Sequence, residues 1–433
     1  MLEKGFNTMF QTILYSGGVT CLGYTVYMSF REIIKNYLKK EKTRVEKTMS
    51  KTMQNTKLYI KKDTDNYLFP KLLNIENKDY GYNLKYKLPV GMTLSDFKAK
   101  KENIETAIEG EVELYADGRT LEIQAATEKI MNEYSFDKKI INDIKGKKLG
   151  VSLGYTRKGY LTVDIAELGS HIIVGGVTGS GKSVLIRQII TPIMLSYEPN
   201  YVDFKLIDLK GGLELSLFEN SPFLESEKSI KTTHEEVLNL IIQLQSEMEY
   251  RYNVMRQEGV SKFAELPTNS MKYIFVIFDE YAEISPSQLK GKEEKIAKKI
   301  QGKLGKLFRQ GRAAGIHFLI CTQRPDAKVI DGQIRSNAQI KVAMNVASKV
   351  DSRIIIESND AANIPPYPGR GIYKYGREKR EFQTPYLTRN KAEELLKERF
   401  QELSPPEKTV DNKVVDIESV RKKKEDDEGG VFL

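Results

Sequence analysis

Residues 171–183 read HIIVGGVTGSGKS, and the apolar helical pattern Val184, Leu185, Ile189, Ile190 follows at once. A short apolar strand, a Gly-rich loop and a helix in that order make a phosphate-binding loop within an α/β sheet. The residue types follow from the task. Gly179 and Gly181 let the main chain come close to anionic oxygens, so the N–H groups of Gly176, Val177, Thr178, Gly179, Ser180, Gly181 and Val184 can form an anion nest at a helix amino terminus. Lys182 then reaches the β and γ phosphates, and Ser183 offers its hydroxyl to Mg2+. A plain Gly-rich turn is the alternative, but it does not require the full pattern between a strand and a helix.

Two further apolar runs end in polar groups. Residues 272–280 read KYIFVIFDE. Acids that end so apolar a strand must face a polar crevice at the carboxyl edge of the sheet, where ligands of open α/β folds bind. Asp279 is expected to hold Mg2+ through water, and Glu280 to polarise the attacking water. Residues 318–325 read FLICTQRP, which places Gln323 to sense the γ phosphate or order the lytic water, unless it merely caps the strand. Together the three stretches predict ATP hydrolysis over a passive adenine-binding scaffold.

The chain has 433 residues, enough for two or three domains, with 40% apolar and 29% charged residues. That balance excludes a disordered, collagenous or polytopic membrane chain. Cys21 and Cys321 lie far apart in unlike contexts, and only three His occur, which argues against a disulfide framework or a zinc site. The net charge of +9 favours an anionic partner. Its location is informative: residues 31–62 carry eleven Lys and Arg against three Glu. They follow residues 5–30, which hold no charge and are long enough to cross a hydrocarbon core of about 30 Å. The expectation is one transmembrane helix over residues 1–31 with the basic side cytoplasmic, an interfacial helix being the alternative.

The expected fold class is α/β, a RecA-like P-loop NTPase motor with a mainly parallel sheet, preceded by a small α/β subdomain and the transmembrane helix. The expected boundaries are a basic juxtamembrane linker over 32–62, a small subdomain over 63–150, the motor over 151–385 and a charged, disordered tail over 386–433 that opens with a short helix-like stretch, Lys391 to Leu403. Parallel strands are expected at 172–174, 204–207, 273–278, 318–321 and 340–343, and one helix over 94–108. Residues 290–312 hold nine Lys and Arg against two Glu. Lys298, Lys299 and Lys303 share a face opposite Ile296, Ile300, Leu304 and Leu307, making an amphipathic basic helix that is a candidate DNA-backbone surface, with a solvated face as the alternative.

Beyond the phosphate loop, LIDLKGGLELSL at 206–217, MEYRYNVM at 248–255, FVIFDEYAE at 275–283, GRAAGIHFLICTQRP at 311–325 and SKVDSRII at 348–355 occur in order. With these stretches the sequence resembles the FtsK/SpoIIIE family of membrane-associated DNA-pumping ATPases over residues 150–376. The resemblance implies a RecA-like motor using ATP and Mg2+ in a homo-oligomeric ring, usually a hexamer, around DNA, with an arginine offered in trans to the neighbour's nucleotide. Arg312 and Arg309 are candidates for that arginine, and Arg353 is a nucleotide-proximal candidate. Leu209 stands where the family has proline between Asp208 and Lys210. The single span, short linker and short tail resemble the coupling ATPases of Gram-positive conjugative elements, which implies a relaxase and a type IV secretion channel as partners and a cell-membrane location. Chromosome or plasmid partitioning, protein export of the type VII kind and a non-enzymatic docking platform are the other readings.

Overall fold

The computed structural model of the chain describes residues 21–403, apart from 64–65, 212, 225–229, 268–270 and 327–328. Most of the apolar stretch 5–30, and with it the expected transmembrane helix, lies outside the described residues. Among those described, no helix is long and apolar enough to cross a membrane.

Helix α1 (Cys21–Asn55) carries the basic segment that the sequence suggested as a linker. Val45, Met49 and Met53 fall four residues apart, so they line one face and are buried. They cover a four-stranded antiparallel sheet of order β3-β4-β6-β5, formed by β3 (Lys71–Lys78), β4 (Gly81–Lys87), β5 (Glu111–Asp117) and β6 (Thr120–Ala126). A two-stranded ribbon, β1 (Ile60–Asp63) with β2 (Asn66–Leu68), precedes it. The helix expected over 94–108 is two helices, α2 (Leu94–Lys98) and α3 (Lys101–Ile108), broken where Lys100 leaves helical geometry at ψ 15°. At the start of α2 the Thr93 N–H and hydroxyl both donate to Asp96 Oδ2 (2.7 and 3.1 Å).

The larger unit is a ten-stranded sheet of order β11-β10-β12-β13-β9-β14-β15-β16-β7-β8. Its six parallel strands are β9 (Ile172–Gly175), β10 (Val202–Ile207), β11 (Ile230–Lys231), β12 (Tyr273–Phe278), β13 (Ile316–Thr322) and β14 (Ile340–Met344). These include all five strands expected from sequence. The sheet is more mixed than expected, because β15 (Arg370–Tyr375), β16 (Glu378–Gln383), β7 (Gly150–Thr156) and β8 (Gly159–Asp164) extend it antiparallel.

The uninterrupted apolar runs of β9, β12 and β13 are explained by burial on both faces. Ile172, Val174, Phe275 and Leu319 pack to one side with Leu185, Ile189 and Ile193 of α5 (Lys182–Ser196), and Ile140 and Ile144 of α4 (Lys139–Lys145) join the same core. Ile173, Val276 and Phe318 pack to the other side, under Leu240 and Leu244 of α7 (His234–Gln257) and Ile300 and Leu304 of α8 (Gly291–Gln310). A short α6 (Leu213–Ser216) precedes α7, and α9 (Gly332–Asn337) and α10 (Lys349–Ile356) flank β14. Helix α11 (Arg389–Leu403) buries Leu395 and Leu396 against this unit, so packing continues past Pro385, through the first part of the expected tail. Residues 404–433 lie outside the described residues.

Candidate active site

Because β9, β12 and β13 are parallel neighbours, the residues that follow them gather along one edge of the sheet. The loop after β9 is tied to both flanking strands: Gly176 N–H donates to Thr322 O (3.2 Å) at the end of β13, and Val177 N–H donates to Asn345 O (3.0 Å) just beyond β14. Gly179 and Gly181 have φ of +78° and +98°, a region in which a β-carbon is strained. Gly181 is also the point where a second loop closes on the first. A β-carbon there would lie 2.4 Å from Gly369 N, whose N–H donates to Ser180 O at 2.8 Å.

Lys182 opens α5 and folds back over the loop, its Nζ donating to Gly176 O and to Val177 O (2.9 Å). Burial lowers its pKa, which makes an anion in the loop a favourable partner. Ser183, the next residue, is exposed at the helix amino terminus. The buried Ser180 hydroxyl has no hydrogen-bond partner among the described residues.

On the next strand, Asp279 N–H donates to Ile207 O (3.1 Å), while its carboxyl is pushed up to about 6 by burial, with Asp208 and Glu280 adding to the effect. Such a crowded acid is short of positive charge. Among the described residues no cluster of three or more His, Cys, Asp or Glu is arranged to hold a metal. The Ser183 hydroxyl and the Asp279 carboxyl are oxygen donors of the kind that suit Mg2+ shared with a bound phosphate.

Glu280 is buried and saturated. Its Oε1 accepts from Thr322 Oγ1 (2.8 Å) and Ala282 N–H (3.2 Å), while Gln323 N–H (3.0 Å) and Lys210 Nζ (3.2 Å) reach Oε2. Lys210 comes from the Asp208-Leu209-Lys210 turn after β10, where Lys210 N–H donates to Asp208 Oδ1 at 3.2 Å. Replacement of the expected proline by Leu209 thus leaves both charges at the site. Gln323 meets the phosphate loop directly, its Oε1 accepting from Thr178 Oγ1 at 2.8 Å.

Of the three candidate arginines, Arg312 and Arg309 are not gathered here. Arg312 lies before β13, at the opposite end of the sheet, with Nη1 donating to Gly169 O (3.3 Å), and Arg309 donates to Gln333 Oε1 (2.7 Å). Arg353 is exposed on α10 and bonds Lys349 O (3.4 Å). On α8 the expected apolar stripe is buried. Of the lysines opposite it, Lys298 pairs with Glu294 (2.6 Å), Lys303 donates to Gln245 Oε1 (3.2 Å) and Lys299 is exposed.

Three features of the site had no role assigned from the sequence, although Lys210 and Thr322 lie within the quoted stretches 206–217 and 318–325. Thr322 and Lys210 hold Glu280 as described. Arg187, buried in α5, makes a bidentate pair with Glu214 and bonds Leu387 O (2.6 Å), fixing α6 and the segment before α11 to the phosphate-loop helix. Beside Gly181 and Val184 opens a cavity of about 340 Å³, whose wall includes Tyr367, Tyr386, Asn132 and Glu133. The sequence PPYPG at 365–369, a stiff turn ending in glycine, is the one signal that could have drawn attention to that wall.

Against known proteins, the model described as FtsK/SpoIIIE family matches residues 145–327. The DNA translocase FtsK of Chlorobaculum tepidum is 32% identical over 228 residues, which are 50% of this chain and 27% of that protein. The type VII secretion system protein EssC of Staphylococcus aureus is 31% identical over 241 residues, 53% of this chain and 16% of EssC. The chain thus spans about a quarter or less of the length of these curated relatives. Among solved structures, the pCW3 conjugation coupling protein TcpA, in monomer form with ATPγS, is similar at a TM-score of 0.55 and 26% identity, covering 76% of this chain and 94% of that one.

Proposed function

The chain belongs to the FtsK/SpoIIIE family, and from that premise we propose that it hydrolyses ATP to drive DNA, as the coupling ATPase of a conjugative system. The observation that carries the ATPase is the meeting of the phosphate loop with Asp279, Glu280 and Gln323 along one sheet edge. The loop N–H groups and Lys182 bind and neutralise the phosphates. Asp279 and Ser183 hold Mg2+, which when bound screens the charge of the β and γ oxygens. Glu280 orients water for in-line attack and takes its proton, and Gln323 fixes the γ end relative to that water. With its oxygens already engaged, Glu280 must give up one donor to accept from water. Lys210 is the donor placed to leave, since it is 39% exposed and sits on a flexible side chain while the others are buried hydroxyl or backbone groups.

Arg312 and Arg309, at the far end of the sheet from their own phosphate loop, can serve a nucleotide only on an adjoining copy, which supports a ring, probed first at hexamer size. The coupling role rests on the likeness to TcpA, which runs over nearly all of that chain. In this reading residues 1–31 anchor the protein in the cell membrane, Lys298, Lys299 and Lys303 face DNA phosphates, and a relaxase and a type IV channel are the partners. Protein export is the second reading, favoured by the identity with EssC over half the chain. ATPase activity of the purified protein with single-stranded, double-stranded or no DNA, with Lys182→Ala as control, tests both. Stimulation by DNA that Lys182→Ala abolishes is expected; equal rates with and without DNA would remove the translocase and leave export.

A further inference from the structure

Helix α1 ends at Asn55, and the chain turns sharply through Lys57, whose φ of +59° lies in the left-handed region. Leu58 N–H donates back to Met53 O (2.8 Å), which roots the ribbon of β1 and β2 on the end of the helix. From there the side chains alternate, as in any strand. Leu58 is buried in the core of the small sheet and Ile60 packs against it, so Tyr59 and Lys61 project to the other side. Lys61 stands opposite Tyr67 across the ribbon, and residues directly opposite share a face. Tyr59, Lys61, Tyr67 and Phe69 therefore lie together on the outer face.

The three rings meet edge to face, Tyr59 lying 4.7 Å from Tyr67 and 5.3 Å from Phe69 between centroids. Even so, Tyr67 and Phe69 remain 40% and 42% exposed, which leaves ring surface free for a flat ligand. The surrounding charge is positive: residues 57–71 hold four Lys against two Asp. Among the described residues Lys57, Lys61, Lys62 and Lys71 have no carboxylate partner, whereas Lys298 on α8 is already paired with Glu294.

Rings interleaved with uncommitted lysines suit a ligand that carries both flat faces and a row of negative charges, which is a single-stranded nucleic acid. In a duplex the base faces are covered by stacking. Spacing agrees, because Tyr67 and Phe69 are two strand residues apart, about 7 Å, or roughly twice the distance between neighbours along one strand of a duplex. Bases must separate to meet both rings. A protein partner fits less well, since lysine is depleted from the cores of protein interfaces and here sits among the rings.

We propose that this face of the β1–β2 ribbon binds single-stranded DNA, with bases on Tyr67 and Phe69 and phosphates on Lys61 and Lys62. The family match begins at residue 145, so the contact lies outside the motor. The inference rests on the DNA-driving reading above and gives it a strand type.

The test is fluorescence anisotropy of the full chain with labelled oligo(dT) and with a duplex of equal length, without nucleotide. Tyr67→Ala/Phe69→Ala is expected to weaken oligo(dT) at least about tenfold, as loss of base stacking does, while the duplex stays within about twofold. Tyr67→Phe/Phe69→Tyr retains both affinities. Lys61→Ala/Lys62→Ala lowers the salt slope of oligo(dT) binding by about 1.4, at about 0.7 for each phosphate released. The chain has no Trp, so Tyr67→Trp puts a single reporter on the face, which oligo(dT) quenches and the duplex does not. Oligo(dT) affinity within about twofold of wild type in the alanine pair, or an equal loss for single strand and duplex, would overturn the proposal. Unchanged affinity with loss of self-association in sedimentation would also overturn it, giving the face to a second copy. Should the alanine pair fail to fold, the tryptophan quench and the lysine pair decide: no quench, or an unaltered salt slope, refutes the site. If DNA still stimulates hydrolysis while the alanine pair keeps its oligo(dT) affinity, only this site is lost; a wild-type chain that binds neither DNA removes the translocase reading as well.

Discussion

Gly179 and Gly181 offer a controlled comparison of strain alone with strain plus collision. Both have positive φ, so an alanine at either costs about 1–2 kcal/mol in the left-handed region. At Gly179 the new methyl meets nothing within 4 Å, and that strain is the whole effect. At Gly181 it would stand 2.4 Å from Gly369 N and 2.9 Å from Gly369 Cα. Both are backbone atoms, so the 365–369 loop must retreat by about 1 Å, which overpacking series put at about 1–3 kcal/mol. The retreat also breaks the 2.8 Å bond from Gly369 N–H to Ser180 O, worth about 1 kcal/mol. The expected losses are therefore about 1–2 kcal/mol for Gly179→Ala and about 3–6 kcal/mol for Gly181→Ala. The chain contains no Trp, so urea unfolding is best followed by circular dichroism. Equal midpoint shifts for the two variants would refute the argument, because they would mean that the second loop yields freely or does not touch the first.

Thr322→Val keeps shape but removes the 2.8 Å bond to Glu280; steady-state kinetics should show kcat down about tenfold with KM within about twofold, and an unchanged kcat would deny Thr322 a positioning role. Burial holds His171 at about 3 and His317 at about 4, below their ordinary 6.5, so both are neutral when folded and take up protons on unfolding. Their stabilising effect is full above about pH 6.5 and is lost as pH falls, at up to about 1.4 kcal/mol per pH unit for each. His317→Asn should lower the slope of stability against pH between about 6 and 4 by about that amount, a change that urea titrations at several pH values would resolve. Changing Lys298, Lys299 and Lys303 together to Glu should flatten the salt dependence of DNA-stimulated hydrolysis, since the slope falls by about one for every phosphate the protein no longer neutralises; an unaltered slope would move the DNA surface elsewhere.

The parallel half of the fold was legible because its evidence is local. IIVG, YIFVIF and IHFLICT are apolar on both faces, and each ends in the residues that perform chemistry, so one reading located strands and site together. The antiparallel half was not legible, since its pairing is remote: β16 joins β7 through Gln383 opposite Tyr155, a match between distant segments that neither announces. The division of residues 94–108 into two helices turns on one backbone angle at Lys100 in a stretch whose apolar spacing suits one helix. Within the site, Lys182, Asp279, Glu280 and Gln323 follow from motif chemistry, but Thr322 could be recognised only once β12 and β13 were adjacent. Asn132, Glu133, Tyr367 and Tyr386 carry no motif at all and meet through tertiary packing alone. The basic helix shows the converse. Its pattern was plain in sequence, while the pairing of Lys298 with Glu294 and the tether of Lys303 to Gln245 emerged only from the fold.

Strand β13 has Arg312 just before it and Gln323 just after it, and its seven residues are all buried. At about 3.3 Å per residue it is a stiff strut of roughly 20 Å, clamped by neighbours on both sides. A strut of this kind cannot absorb displacement along its length. The strand is thus the shortest covalent path between Gln323, which meets the phosphate loop, and the turn that holds Arg312. In the ring proposed above, that path would link the phosphate loop of one subunit to the face it turns towards the nucleotide of the next.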